Sequence, residues 1–144
     1  MKTIMVNPKT VTRKWKLIDA EGKPLGRVAS AAARILMGKN KAIFSPNVDT
    51  GDFLVIINAG KVGTTGKKAE QKQYFHHTGH IGGERWITFD ALIKKHPTQP
   101  LEAAIWGMLP HSSLGEKMMK KLKIYAGAEQ PHTAQHLETV TLDF

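Results

Sequence analysis

The chain has 144 residues, 21 Lys/Arg against 12 Asp/Glu, a formal net charge of +9 and no cysteine. That length supports one domain with its own core, which needs neither a disulfide nor a metal to fold, and the missing thiols exclude cysteine chemistry and fit a reducing compartment. No run approaches the roughly 20 apolar residues of a membrane span, and residues 1–14 are polar and basic rather than a secretory leader, so export is not expected.

In chain order, residues 1–14 read as an extended basic arm. Trp15-Lys16-Leu17-Ile18 reads as a first strand, closed by the turn-like Asp19-Ala20-Glu21-Gly22. Pro24 then opens a helix, where its missing N–H costs nothing. Leu25, Val28, Ala29, Ala32, Ile35 and Leu36 form its buried stripe, and Gly38 is a natural stop. Phe53-Leu54-Val55-Ile56-Ile57 is a continuous apolar run, suited to a central strand buried on both faces. Residues 70–76 are more polar and predict an outer strand; Arg85-Trp86-Ile87 predicts another short one. Thr88 has the place of an N-cap, with Asp90 in the first turn and Phe89, Leu92 and Ile93 facing inward. Pro100 and Glu102 mark the next helix start, with Leu101, Ala104, Ile105 and Met108 as its inward stripe. Leu114, Met118 and Leu122 repeat every four residues and predict a short helix, and Lys123-Ile124-Tyr125 reads as a final strand. Strands alternating with helices favour an α/β sandwich around a largely parallel sheet. One domain is expected over residues 15–128, between the basic arm 1–14 and a C-terminal extension 129–144.

The charge is unevenly placed. Residues 1–72 hold 14 Lys/Arg and 5 Asp/Glu, whereas residues 73–144 hold 7 of each. A polyanion would therefore be gripped mainly by the first half, plus a cluster near residues 117–123. An ordinary solvated basic surface is the plainer alternative. Arg27 and Arg34 lie two helical turns apart, about 10.5 Å, on the face opposite the apolar stripe. Such a pair can bridge separate phosphates with forked bonds, or simply be solvated. Lys39 and Lys41, just past the helix end, favour the phosphate reading, and Arg13 and Lys14 of the arm join them.

Lys67, Lys68 and Lys72 follow a Gly- and Thr-rich turn. The spacing is wrong for a nucleotide-binding phosphate loop, because Lys61 stands where its first glycine belongs and Lys68 where its hydroxyl belongs. Lysines beside flexible backbone still suit irregular RNA phosphates. His76-His77-Thr78-Gly79-His80 is a weak metal pattern, since zinc needs three or four well-placed ligands and the next carboxylate is Glu84. The histidines are instead structural or RNA-contacting, and His76, His77 and Arg85 are candidate RNA contacts on a glycine-rich loop that can lie close to a sugar–phosphate chain or to a neighbouring strand. Lys117, Lys120, Lys121 and Lys123 complete the basic set. Trp106 lies off its helix's stripe and is expected to pack under a loop rather than stack on a base. The serines lie in no Gly-x-Ser-x-Gly context, and no Gly-x-Gly-x-x-Gly follows a strand, so neither hydrolase nor dinucleotide chemistry is assembled. No cofactor or metal is expected.

Gly107-Met108-Leu109-Pro110-His111-Ser112-Ser113-Leu114-Gly115 is an apolar segment bounded by glycines, with no pair of groups suited to acid–base work. It closely resembles a signature of the bacterial form of the large-subunit ribosomal protein thirteen family. Asp49-Thr50-Gly51-Asp52, His77-Thr78-Gly79, Gly82-Gly83, Tyr125-Ala126-Gly127 and Pro131-His132 fall in the same family order and spacing. The resemblance implies a three-layer α/β/α sandwich with a small, mostly parallel four-stranded core sheet. It also implies a structural, non-enzymatic constituent of the large ribosomal subunit in the cytoplasm or an organelle. Its partners would be large-subunit ribosomal RNA, bound in support of early assembly, and neighbouring ribosomal proteins, with no membrane and no small-molecule substrate. The competing readings are an RNA-binding regulator outside the ribosome and a small phosphate-handling α/β enzyme. The chain departs from the family pattern at Met37, Trp106 and His111, where a basic residue is usual, and at Gln130, where histidine is frequent.

Overall fold

A computed structural model describes residues 5–142. The first four residues of the predicted arm and the last two of the C-terminal extension lie outside the described residues. Strand β1 (Trp15–Asp19) is followed by helix α1 (Leu25–Met37), and β2 (Phe53–Ile57) returns parallel to β1, with Trp15 opposite Phe53 and Asp19 opposite Ile57. β5 (Leu122–Ile124) pairs parallel with the far side of β2. The fourth strand is β6 (Glu138–Thr139), parallel to the free side of β1, so the order is β5-β2-β1-β6. The sheet is therefore a four-stranded parallel core within an α/β sandwich, as the alternation of elements predicts. Its last strand comes from the C-terminal extension, whose polar Glu138-Thr139 carries no strand pattern of its own.

Helix α1 forms as its stripe dictates. Leu25, Val28, Ala29, Ala32, Ile35 and Leu36 are all buried, and Gly38 closes the helix in the left-handed region at φ 80. They pack with Ile18, Leu54 and Ile56 of the sheet, with Leu101 and Ile105 of α4 (Gln99–Met108) and with Met118 of α5 (Ser113–Lys120). Val55 is also fully buried but lies on the opposite side of its strand from Leu54 and Ile56. On that side Trp15 stacks on Phe53 at 4.6 Å between ring centroids, and His132 of the extension lies 5.1 Å from Trp15.

The segment after β2 differs from expectation. Residues 70–76 are not one strand: α2 (Lys68–Gln71) takes the first part, and β3 runs from Gln73 to His77. β3 pairs antiparallel with β4 (Glu84–Thr88), making a two-stranded hairpin apart from the main sheet. Thr88 stands at the N-cap of α3 (Phe89–Lys95), but its side chain makes no capping bond. Met108 is 43% exposed, because α4 ends there and Leu109 turns in to the core instead. Leu114 is half-buried, whereas Leu109 is buried and Ser112 caps α5 by accepting from the Gly115 N–H at 3.3 Å. The final strand is shifted back by one residue, ending at Ile124.

Candidate nucleic-acid interface

The basic residues divide into two groups according to what their charges meet. The first group surrounds Asp49-Thr50-Gly51-Asp52, the loop that leads from α1 into β2. Asp52 is buried; its Oδ1 accepts from the Lys14 N–H at 2.9 Å and from Lys41 Nζ at 2.5 Å, while Lys16 Nζ lies 3.6 Å from Oδ2. Lys41 Nζ also donates to the Thr12 carbonyl at 3.1 Å. Asp49 accepts from Lys121 Nζ at 2.5 Å, and Arg13 stands beside it at 3.9 Å. Lys121 further donates to the Leu36 carbonyl at 3.2 Å, satisfying one of the orphan acceptors at the end of α1. Gly51 is required here: a Cβ would stand 1.7 Å from Leu36 O and 2.9 Å from Lys121 Nζ.

Lys121 thus needs correcting as a surface cation. It is only 6% exposed, and burial pushes its ammonium below the ordinary lysine range, with Asp49 opposing the shift. Buried charge of this kind persists only when paired and hydrogen-bonded. Lys14 is outward-facing but bound to Glu138 at 2.6 Å, and that bond raises its pKa; the contact ties the arm to the strand of the extension. Arg13, Lys14, Lys41 and Lys121 therefore have protein partners already.

The second group faces outward. Arg34, Lys39, Lys67, Arg85, Lys117, Lys120 and Lys123 are exposed and form no ion pair among the described residues. Arg27 is exposed at the start of α1, on the same helix face as Arg34. It borders a cleft of about 620 Å³ together with Thr64, Thr65, Lys68 and Lys72, and Leu25, Ala104 and Met108 are its apolar lining. Lys68 Nζ reaches Thr65 Oγ1 at 3.4 Å, and Lys72 Nζ lies 5.3 Å above the Tyr74 ring. The fold thus brings α1 against the Gly/Thr-rich turn and the lysines that follow it, two regions that the sequence left separate. Lys117 and Lys120 stand on the outer side of α5, away from Met118.

His76 and Arg85 are paired in register on the hairpin, and both line a second cavity of about 420 Å³ with Lys95 and His96. His77 points the other way and its Nδ1 accepts from the Gly79 N–H at 2.9 Å, shaping the turn. Lys95, His96, Thr64 and Thr65 carried no sequence signal as site residues, because each depends on a neighbour distant in the chain. The departures at Trp106 and His111 meet each other: the two rings lie edge to face at 5.1 Å, with Trp106 half-buried. Gln130 accepts from the His132 N–H at 2.6 Å and so orders the extension over the aromatic side of the sheet.

Residues 13–131 match the family model described as Ribosomal protein L13. The chain belongs to the ribosomal protein L13 family. Similar members, each named large ribosomal subunit protein uL13, come from Teredinibacter turnerae (54% identical, covering 99% of this chain and all of that one), Symbiobacterium thermophilum (54%, covering 95% and 96%) and Agathobacter rectalis (51%, covering 97% and 99%). Family membership thus spans β1 to the C-terminal extension, including every element that builds the basic surfaces. No helix among the described residues is long and apolar enough to cross a membrane.

Proposed function

We propose that this protein is a structural, non-catalytic constituent of the large ribosomal subunit, acting in the cytoplasmic ribosome. It binds large-subunit ribosomal RNA through its outward cations and supports early assembly by fixing RNA segments against a rigid body. The observation that carries this reading is the division of the cations. Acidic residues neutralise the inner set, whereas Arg34 on α1, Lys67, Lys68 and Lys72 about α2, and Lys117, Lys120 and Lys123 about α5 form no ion pair among the described residues. Lysines and arginines spaced over three elements suit phosphates of converging RNA segments, which are recognised by shape and backbone more than by base sequence. The relatives are named as large-subunit proteins, which supports placement there.

Sucrose-gradient sedimentation of a lysate tests the proposal. The chain is expected to co-sediment with large subunits in a one-to-one ratio and to stay there through a moderate-salt wash. Recovery mainly at the top of the gradient, bound to other RNA, would instead make it a regulator outside the ribosome.

A further inference from the structure

The β3–β4 hairpin has two unlike faces. Strand alternation places Phe75, His77, Glu84 and Trp86 on the outer face, and Tyr74, His76, Arg85 and Ile87 on the face toward α3 and α4. Phe75 and Trp86 are cross-strand partners whose rings lie 4.7 Å apart, yet they are 54% and 60% exposed. His77 adds a third ring, 6.3 Å from Phe75. Ile81, at the tip, is completely exposed. The fold leaves this aromatic face uncovered, and contiguous exposed apolar area of this kind marks an interaction surface.

We infer that the outer face of the hairpin is a stacking platform for unpaired nucleobases of RNA, with Trp86 as its centre and Phe75 as its flank. The inference rests on the RNA-binding reading above. Charge favours this occupant: the ribbon is one strand layer thick, its reverse carries Arg85 with Lys95 around a cavity that no carboxylate lines, and the carboxylate of the aromatic face, Glu84, sits at the tip end opposite His77. A polyanion approaching the ribbon meets cations for its phosphates on one side and π-faces for its bases on the other. Indole and phenyl rings accept any base by stacking, so such a platform holds looped-out nucleotides without reading sequence.

Titration of the full-length protein with short single-stranded oligoadenylate, and with an RNA duplex of equal length, tests the inference. Single-stranded RNA is expected to quench the part of the tryptophan fluorescence that Trp86→Phe removes, and the duplex is not. Trp86→Ala should weaken oligoadenylate binding by roughly 5- to 150-fold, the range for one base–aromatic stack, while Trp86→Phe keeps most of the affinity and the salt dependence is unchanged. Phe75→Ala should act in the same direction, and serves in place of Trp86→Ala if that variant loses its circular dichroism spectrum. Oligoadenylate binding within twofold of wild type in Trp86→Ala or Phe75→Ala, alongside weakened binding in the Lys68→Ala/Lys72→Ala double variant, would overturn the platform but leave RNA binding standing. The face would then belong to a protein partner. No binding of either RNA by the wild type would bring down both readings.

Discussion

Lys121 separates an internal role from an RNA contact, and Lys121→Met tests the distinction. Methionine keeps the unbranched apolar stem as far as Cε, so most of the packing is preserved while the ammonium is removed. Asp49 then loses its 2.5 Å partner and the Leu36 carbonyl its 3.2 Å donor. Breaking a fully buried ion pair by removing one partner costs about 3–5 kcal/mol. The Asp49 side chain is 15% exposed and keeps Arg13 at 3.9 Å, which moves the expectation to the lower end, about 3 kcal/mol. For a domain of this size that lowers Tm by roughly 6–12 °C. The assay is thermal and urea unfolding of Lys121→Met, Asp49→Asn and the double variant. Because the two groups share one interaction, the double variant should be little worse than the worse single one, giving a coupling energy of about 2 kcal/mol. RNA affinity, measured well below the lowered Tm, should be unchanged, whereas Lys117→Ala on exposed α5 should lower affinity without lowering stability. A coupling below about 0.5 kcal/mol, or a loss of RNA affinity in Lys121→Met equal to that of Lys117→Ala, would refute the internal role.

The other expectations concern binding, the turn after β2 and the start of α5. If the outward cations make about 6–10 phosphate contacts, affinity for a ribosomal RNA fragment falls by about 10³–10⁵ between roughly 50 and 200 mM monovalent salt; a nearly flat response contradicts the phosphate mechanism. Arg27→Ala with Arg34→Ala should leave the circular dichroism spectrum intact, weaken binding and reduce the salt slope by about two contacts; wild-type binding would remove both from the interface. Asn58 holds φ 58 while its amide donates to Asp19 Oδ1 at 2.8 Å. Asn58→Ala should therefore cost about 2–3 kcal/mol by urea unfolding, and Asn58→Gly only about 1, because glycine removes the backbone strain but not the lost bond. That same bond is the chief reason the Asp19 carboxyl is held below its ordinary value. The stability it lends is present above the unfolded pKa of about 3.9 and is lost as pH falls through the lower folded value, so Asn58→Gly should show a shallower acid-side decline than wild type. Finally, a Cβ at Gly115 would stand 1.8 Å from the Pro110 carbonyl oxygen, so Gly115→Ala should cost about 3 kcal/mol, and half-buried Leu114→Ala only about 1–2; the opposite order would show that the turn relaxes and Leu114 is the anchor.

What the sequence made legible follows a physical rule. β1, α1, β2 and α4 could be read because each buries a continuous run or a stripe of period 3.6, and burial writes that period into the residues. β6 could not: Glu138-Thr139 is exposed, and only the open edge of β1 makes it a strand. α2 and β3 were merged for a similar reason, since a four-residue helix without buried residues leaves no period. The cations follow the same logic at the level of charge. Lys117, Lys120, Lys121 and Lys123 look alike in sequence, and what distinguishes Lys121 is Asp49, 72 positions away, with the end of α1. The clue lay in the acids rather than the bases. Asp49 and Asp52 stand on either side of a glycine whose backbone lies too close to the end of α1 to admit a side chain, and carboxylates held there draw Lys41 and Lys121 inward. Net charge therefore overstates the surface available to RNA, and the acids decide which part of it remains.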